Sequence, residues 1–252
     1  MKSKSRKACA YCDGCGPFTR EHVFGFFFEN HSGKRHRHTS AKTGYRSVSG
    51  APTIRDVCRD CNNRRLSPLD AYGASLLKRF FSRTGEDLAG RSFHVSRNKL
   101  LRWLLKLSYN GARPANEQIS AHRSCRQFIL GDSRHPPFTI DLLVQLMPSA
   151  SPAPGARVSN FLRIGELLLP EVEEHLDLRR LVAVNRFFFA IVGWKRGAPH
   201  ELRAAVRRSL QVAHGFQLIR RSPPLRLKLG PVTREQWEAS VTGEAYLVRP
   251  NR

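Results

Sequence analysis

The sequence predicts an α+β protein in which a small cysteine-stapled unit, residues 1–88, precedes a larger unit, residues 89–252. The first unit is indicated by two C-x-x-C motifs and by a helix-forming segment directly after the second motif. The second is indicated by short apolar runs, separated by breaks rich in proline, glycine and serine, that favour a mostly antiparallel sheet. Hydrophobic residues make up 40% of the 252 residues, which is enough for the chain to bury a core.

Four cysteines in the two C-x-x-C motifs predict a structural zinc site. Cys9 and Cys12 form the first motif, and Cys58 and Cys61 form the second. In a reducing compartment such pairs bind metal more often than they form disulfides. Two tight turns of this kind present four thiolates to one tetrahedral zinc ion, which closes the site and contributes folding energy. The alternative is a set of free or redox-active thiols.

Two further cysteines stand outside this pattern. Cys15 follows Cys12 at the same spacing and offers a spare ligand in its place. Cys12 is preferred because a two-residue turn in each half gives the more symmetric site. Cys125 stands alone in the sequence, and we expect it to be a small core residue.

The other segments of the first unit are assigned from their composition. Residues 19–28 are apolar and β-branched, which favours a strand or hairpin. Residues 30–55 carry six lysines or arginines, three histidines and no acid, and are expected to form a solvated loop. A helix is predicted to start at Ser67, with Ser67 as N-cap, Pro68 in the first helical position and Asp70 completing a capping box.

The second unit is predicted to pack helices on a mostly antiparallel sheet. A helix is expected at residues 98–111, where apolar side chains nearly encircle the axis and indicate burial, and a shorter one at residues 199–212. Strand-like runs cover residues 127–130, 138–147, 161–169, 181–194, 216–219 and 225–229.

The net charge of the chain predicts a polyanionic partner. The 43 lysines and arginines exceed the 20 acidic residues and give a formal charge of +23. An anionic membrane is the competing polyanion, but the sequence shows no basic amphipathic helix with a clean apolar face and no bilayer-spanning run. The basic N-terminus also lacks the apolar stretch of a signal peptide. We therefore expect a nucleic acid as partner, no membrane contact and a cytoplasmic location.

The order of the motifs resembles that of the HNH endonuclease superfamily. The acid–histidine pair Glu21-His22 lies between the two cysteine motifs, and Asn62 follows the second motif directly. This order resembles the branch of HNH nucleases with two zinc knuckles, over about the first 75 residues. The resemblance implies a ββα-metal fold, in which one strand carries the acid and the histidine and the helix after the second knuckle faces them.

The resemblance also implies a role for each residue of the motif. His22 is expected to be the general base that activates water, and Glu21 a ligand of a catalytic magnesium or manganese ion. Asn62 is expected to orient the site or to join the metal shell, with Asn63 as its rival, and Asp70 lies where the third motif residue falls. Each also has a structural alternative: Asn62 can cap the knuckle turn, and Asp70 can serve the capping box.

Basic segments are expected to hold the phosphate backbone. Residues 202–234 contain eight lysines or arginines and no acid. Such contacts give affinity but no sequence preference. The predicted phosphate contacts in the basic loop are Lys34, Arg35, Arg37, Lys42 and Arg46.

The sequence thus predicts a metal-dependent endonuclease that acts on DNA rather than RNA. The alternatives are a non-catalytic zinc-knuckle nucleic-acid-binding protein and an assembly protein.

Overall fold

Helices and antiparallel strands are mixed along the chain, which confirms the predicted α+β class. The chain divides into two units, one formed by Met1–Ala74 with Arg102–Pro137 and the other by Ser75–Leu101 with Phe138–Arg252. This division differs from the sequence-based boundary at residue 88, because residues 102–137 pack with the N-terminal residues. The computed structural model describes residues 8–14, 16–22, 35–40, 44–49, 53–83, 85–115, 118–147, 162–230 and 246–247.

A two-stranded antiparallel pair carries the acid–histidine motif of the first unit. Strand β1 (Phe18–His22) pairs with a strand that ends at the second cysteine motif, and Phe18 lies opposite Cys58. The register shifts between Thr19 and Glu21, which bends the strand just before the motif.

The basic segment of the first unit contains a second strand pair. Strands β2 (Arg35–Ser40) and β3 (Gly44–Ser49) run antiparallel, and β4 (Thr53–Cys58) is the partner of β1. The expectation that residues 30–55 form a loop is therefore wrong for the described part of that segment. A hairpin built mainly from polar residues lacks the apolar alternation on which strand prediction depends.

A long helical segment follows β4. It begins with a π-helical turn at Cys61–Leu66, continues as α1 (Ser67–Leu76) and ends in a second π-helical turn at Leu77–Phe81. The prediction that Ser67 caps the helix is wrong, because Ser67 has helical backbone angles and lies inside the segment. Pro68 lacks an amide hydrogen, and the wider hydrogen-bond spacing of the preceding π-helical turn accommodates this gap.

Short elements precede and follow one long buried helix in the middle of the sequence. That helix confirms the prediction for residues 98–111. The predicted strand at residues 127–130 is wrong, because these residues are helical and a short apolar run does not distinguish a strand from a buried helical turn. The elements are α2 (Gly85–Leu88), β5 (Ser92–Phe93), α3 (Arg97–Ala115), α4 (Ile119–Ser124) and α5 (Arg126–Leu130).

Helices α1 and α3 approach closely within the first unit. Gly73 of α1 faces the fully buried indole of Trp103 in α3, and a Cβ atom at position 73 would overlap that ring. Asp70, about one turn before Gly73, contacts Lys106, about one turn after Trp103. The two helices therefore run antiparallel where they touch.

A six-stranded sheet dominates the second unit. It contains β6 (Thr139–Leu146), β7 (Leu162–Leu168), β8 (Leu176–Val184), β9 (Phe187–Trp194), β10 (Gln217–Leu218) and β12 (Tyr246–Leu247). Their order is β10-β6-β9-β8-β7-β12, and only β7 and β12 run parallel. A separate pair joins β5 to β11 (Leu225–Arg226).

The predictions for the second unit hold for most of its elements. The strands predicted at residues 138–147 and 161–169 are confirmed. The run at 181–194 forms parts of two strands, because Asn185 adopts a positive φ of 52° in the tight turn between β8 and β9. A 3₁₀ turn at Pro170–His175 precedes β8.

One helix packs on the sheet of the second unit. Helix α6 (His200–His214) confirms the helix predicted for residues 199–212. Its buried Val206 and Leu210 join an apolar cluster with Phe188 and Trp194 of β9. Among the described residues, no helix combines the length and the apolar composition that crossing a bilayer requires.

Candidate functional site

The four cysteines of the two C-x-x-C motifs converge in the first unit. The Sγ atoms of Cys9, Cys12, Cys58 and Cys61 all lie within 4.8 Å of one another. Tetrahedral zinc with sulfur ligands at about 2.3 Å holds its sulfurs about 3.8 Å apart, and the Sγ atoms of Cys12 and Cys58 are 3.7 Å apart. The cluster therefore fits a structural metal such as zinc, with Cys12 completing the set. The alternative ligand Cys15 lies outside the described residues.

Hydrogen bonds from backbone amides, together with burial, shift the pKa values of these cysteine thiols. The Cys58 N–H donates to Cys9 Sγ at 3.3 Å, and the Cys61 N–H donates to Cys58 Sγ at 3.5 Å. Burial acts to raise the pKa of the Cys9 thiol, but hydrogen bonds from backbone amides outweigh it and lower that pKa. Burial and the neighbouring sulfurs raise the pKa of Cys61 far above its ordinary value. The four sulfurs can therefore ionise together only beside a neutralising cation.

Glu21, the acid of the predicted catalytic pair, is buried in a network of charges. Its side chain is 3% exposed, and its Oε1 lies 2.8 Å from Nζ of Lys106, which is itself 1% exposed. The Asn110 Nδ2 donates to the same Oε1 at 3.0 Å and to the main-chain oxygen of His22 at 3.1 Å. A buried carboxylate is tolerated only where charge and hydrogen bonds compensate it. Lys106 and Asn110 supply both, and Asn110 also fixes the backbone of His22.

Asp70 lies on the other side of the Lys106 ammonium. Both of its carboxylate oxygens are 2.6 Å from Lys106 Nζ, and its side chain is 30% exposed. Burial raises the pKa of the Asp70 carboxyl, the Lys106 charge partly offsets this, and His22 also acts on it electrostatically. We call Glu21, Lys106 and Asp70 the ion triad. The capping role proposed for Asp70 is wrong, because the helix begins before Ser67.

A chain of hydrogen bonds connects the ion triad to the first cysteine motif. The hydroxyl of Tyr11, which lies between Cys9 and Cys12, donates to Asn110 Oδ1 at 2.7 Å. The Arg113 guanidinium donates to the same oxygen at 2.6 Å. With its oxygen held in this way, Asn110 turns its amino group towards Glu21. Tyr11 and Asn110 thus link the first cysteine motif to Glu21 of the ion triad.

Asn62 holds the strand that carries the acid–histidine pair. Its Nδ2 donates to Thr19 Oγ1 at 2.9 Å and to the main-chain oxygen of Arg20 at 3.1 Å. Thr19 Oγ1 in turn donates to the main-chain oxygen of Val57 at 3.2 Å. Asn62 therefore connects the start of the helical segment to β1, which places it among the residues that position Glu21. Its rival Asn63 is exposed.

The predicted phosphate-binding residues are only partly described. The backbone of Arg35 and Arg37 lies on β2, and that of Arg46 lies on β3, opposite His38. Lys34 and Lys42 lie outside the described residues. Contact between this segment and a nucleic acid stays a prediction.

Sequence reasoning missed the residues that neutralise and orient Glu21. Lys106, Ser108 and Asn110 interrupt the apolar surface of α3 and are all buried. A polar side chain at a buried helical position needs a partner, so these interruptions were the available signal. The spacing of Lys106 and Asn110 places them on the same side of α3, where both reach Glu21.

The described residues of the first unit hold two connected sites, a cysteine cluster suited to a metal and a buried ion triad beside His22. Compared with known proteins, the chain matches no family model, no curated protein and no solved structure. The resemblance to HNH nucleases therefore rests on the order of the motifs in the sequence.

Proposed function

We propose that this chain is a zinc-stapled HNH-type endonuclease that hydrolyses nucleic-acid phosphodiester bonds, in DNA rather than RNA, with His22 as general base. The observation that carries the proposal is the meeting of Asp70 with Glu21, the residue that directly precedes His22 on β1, on one ammonium. Strand β1 carries Glu21 and His22, and the helical segment after Cys58 carries Asp70; the order of the motifs in the sequence supports the proposal.

The proposed chemistry begins with His22. A histidine that is neutral near pH 7 can take the proton of a water molecule as that water attacks phosphorus. The hydrogen bond from Asn110 to the main-chain oxygen of His22 holds the backbone of the base in place. Positive charge near the phosphate must balance the negative charge that builds up in the transition state.

The residues at the site do not fit the divalent ion that the resemblance implies. Glu21 and Asp70 offer the carboxylate oxygens that magnesium or manganese prefers. The Lys106 ammonium contacts both carboxylates, however, and a divalent ion on the same oxygens would meet a like charge. No step of the proposed hydrolysis is therefore assigned to magnesium or manganese.

The alternative function is a non-catalytic zinc-knuckle protein that binds nucleic acid. One observation favours it, namely that both carboxylates of the ion triad already bind a cation of the protein, the Lys106 ammonium. The net charge of +23 supports binding of a polyanion under both proposals. The two functions differ in whether the backbone is cut.

The test is a comparison of wild type, His22→Ala and His94→Ala, in which His94 is an exposed histidine of the second unit. Each zinc-loaded protein is incubated with supercoiled plasmid and, separately, with single-stranded and structured RNA. We expect wild type and His94→Ala to nick the plasmid, and His22→Ala to be slower by about 100-fold or more, the scale of a lost general base. Circular dichroism and zinc content verify folding.

Equal cleavage by wild type and His22→Ala would refute the assignment of the base. Salt-sensitive binding without cleavage of any of the substrates would favour the non-catalytic alternative. Cleavage of RNA alone would change the proposed substrate from DNA to RNA and would leave the proposed role of His22 as general base unchanged.

A further inference from the structure

We propose that the Lys106 ammonium takes the place of the catalytic divalent cation, so that the site neither binds nor needs magnesium or manganese. This inference rests on the proposed nuclease function for its catalytic part. Its structural part, the exclusion of a divalent ion from Glu21 and Asp70, stands independently of activity.

The Lys106 ammonium has an oxygen acceptor within reach of each of its three N–H groups. It lies 2.8 Å from Glu21 Oε1 and 2.6 Å from each carboxylate oxygen of Asp70. An ammonium has three hydrogens to donate, and these three oxygens can accept all of them. The distances are those of charge-assisted hydrogen bonds. The ammonium thus occupies the point that an ion coordinated by both carboxylates would occupy.

Burial keeps the ammonium at this point. Lys106 is 1% exposed, and its neighbours Leu105 and Leu107 on α3 are fully buried. If Lys106 withdrew to admit another cation, a buried ammonium would lose both of its ionic partners. A lysine at the rim of a site could move aside for a metal, but this one belongs to the core of the first unit.

The charges of the cluster lead to the same assignment. Two carboxylates and one ammonium carry a net charge of −1 when all three are ionised. The Asn110 amide and the Tyr11 hydroxyl behind it are neutral, while the Arg113 guanidinium pairs with Asp56 at 2.6 Å. Lys106 is therefore, among the described residues around them, the cation that contacts both Glu21 and Asp70, and it offsets one of their two charges.

The proposed reaction balances with Lys106 unchanged. The water oxygen bonds to phosphorus while its proton passes to His22. The bond from phosphorus to the leaving oxygen breaks, and that oxygen keeps the electron pair and takes a proton from solvent. Lys106 retains its proton throughout; enclosed by Glu21 and Asp70, it acts by positioning their carboxylates and by offsetting one of their two charges.

Manganese binding tests the structural part directly. Zinc-loaded, full-length wild type, Lys106→Met and Lys99→Met are titrated with Mn²⁺ in resin-treated buffer, and free Mn²⁺ is followed by electron paramagnetic resonance. Lys99 is an exposed lysine on the same helix and serves as the matched control. We expect Lys106→Met to gain one site that binds Mn²⁺ at least about tenfold more tightly than wild type or Lys99→Met does. The further change Asp70→Asn should remove that site.

An Mn²⁺ site in wild type that is as tight as in Lys106→Met, and that Asp70→Asn abolishes, would overturn the inference. If Lys106→Met does not fold, the same comparison of wild type with Asp70→Asn decides the question: an Asp70-dependent Mn²⁺ site overturns the inference, and the lack of one supports it.

Cleavage separates this inference from the proposed function. In resin-treated buffer, with zinc content verified, wild type is expected to nick plasmid as fast as it does with added Mg²⁺ or Mn²⁺. Cleavage only after addition of Mg²⁺ or Mn²⁺ would overturn the inference and leave the nuclease function standing. If no cleavage occurs in either buffer, the nuclease function and the catalytic part fail together, and the Mn²⁺ titration still decides the structural part.

Discussion

The two units of this chain bury polar side chains in different ways. In the first unit the buried polar groups bind one another, as Asn110 and Lys106 both bind Glu21. In the second unit buried polar side chains take neutral partners: Asn185 donates to the main-chain oxygen of Phe81 at 2.7 Å, and the Trp194 indole N–H donates to Asp141 at 2.9 Å, while the Arg207 guanidinium lies 3.5 Å from Asp141. The interior of the first unit is therefore specified by pairing of charges, and that of the second by the filling of volume. Variants can test this contrast.

The largest effect is expected from loss of the metal in the first unit. Cys61→Ser should remove one sulfur from the cluster and with it most of a binding energy that is about 10–16 kcal/mol for structural zinc in small peptides. We expect backbone amides of the first unit to lose hydrogen-exchange protection while those of β8 and β9 keep it. Cys125→Ala, outside the cluster, should retain one zinc ion per chain by elemental analysis. Equal protection in Cys61→Ser and wild type would contradict a structural role of the metal.

The next effect is expected from an unbalanced charge in the ion triad. Lys106→Met leaves two carboxylates without their cation, and breaking a buried pair costs about 3–5 kcal/mol. Chemical denaturation followed by intrinsic tryptophan fluorescence, to which Trp103 of the first unit contributes, measures this change in the free energy of unfolding. Adding Glu21→Gln to Lys106→Met should recover part of the loss, because it removes one uncompensated charge. If the two substitutions are additive, Glu21 and Lys106 are not coupled.

A smaller effect of a different kind is expected in the second unit. Leu210→Ala removes a fully buried side chain of α6 from the apolar cluster and should cost about 2–5 kcal/mol. Because that interior depends on volume, Leu210→Met should recover most of the stability, whereas no neutral substitute of similar size should replace Lys106. Thermal unfolding measures both variants, with zinc content as the control for the first unit. Equal losses in Leu210→Met and Leu210→Ala would contradict the contrast.

The smallest effect concerns acid stability of the second unit. Burial lowers the pKa of His214 below its ordinary value of 6.5. The unfolded chain therefore binds a proton more readily, so the stability present above about pH 6.5 is lost as pH falls towards the pKa of the folded state. His214→Gln should unfold with a weaker pH dependence between about pH 7 and 5. Exposed His200 at the other end of α6 is the control position, where the same change should leave the pH dependence as in wild type.

The sequence predicts features whose signal is local. The cysteine cluster follows from two motifs, because a C-x-x-C turn presents both of its sulfurs whatever surrounds it. The buried helix α3 is predicted by the spacing of its apolar residues. The same pattern does not predict which acidic residues Lys106 contacts. The contact of Lys106 with Asp70 depends on how α1 and α3 pack, and no spacing in the sequence records that.

The secondary-structure predictions were wrong where the surrounding fold overrode a local sequence pattern. Ser67 and Pro68 form a good helix start, but the helical turn that follows Cys58 already runs through them. The hairpin of β2 and β3 was missed because its residues are mainly polar. Residues 181–194 are apolar except for Asn185 and Arg186, and these two residues form the turn between β8 and β9.

The contact between Gly73 and Trp103 has a consequence for how this protein tolerates mutation. A methyl group at position 73 would push the two helices apart one turn away from the place where Asp70 receives the Lys106 ammonium. Gly73, which has no side chain, thus controls the distance between the Asp70 carboxylate and the Lys106 ammonium. In a random mutagenesis library, we therefore expect destabilising substitutions at codon 73 as well as at the codons of Asp70 and Lys106. A survey guided by side-chain chemistry would overlook that position.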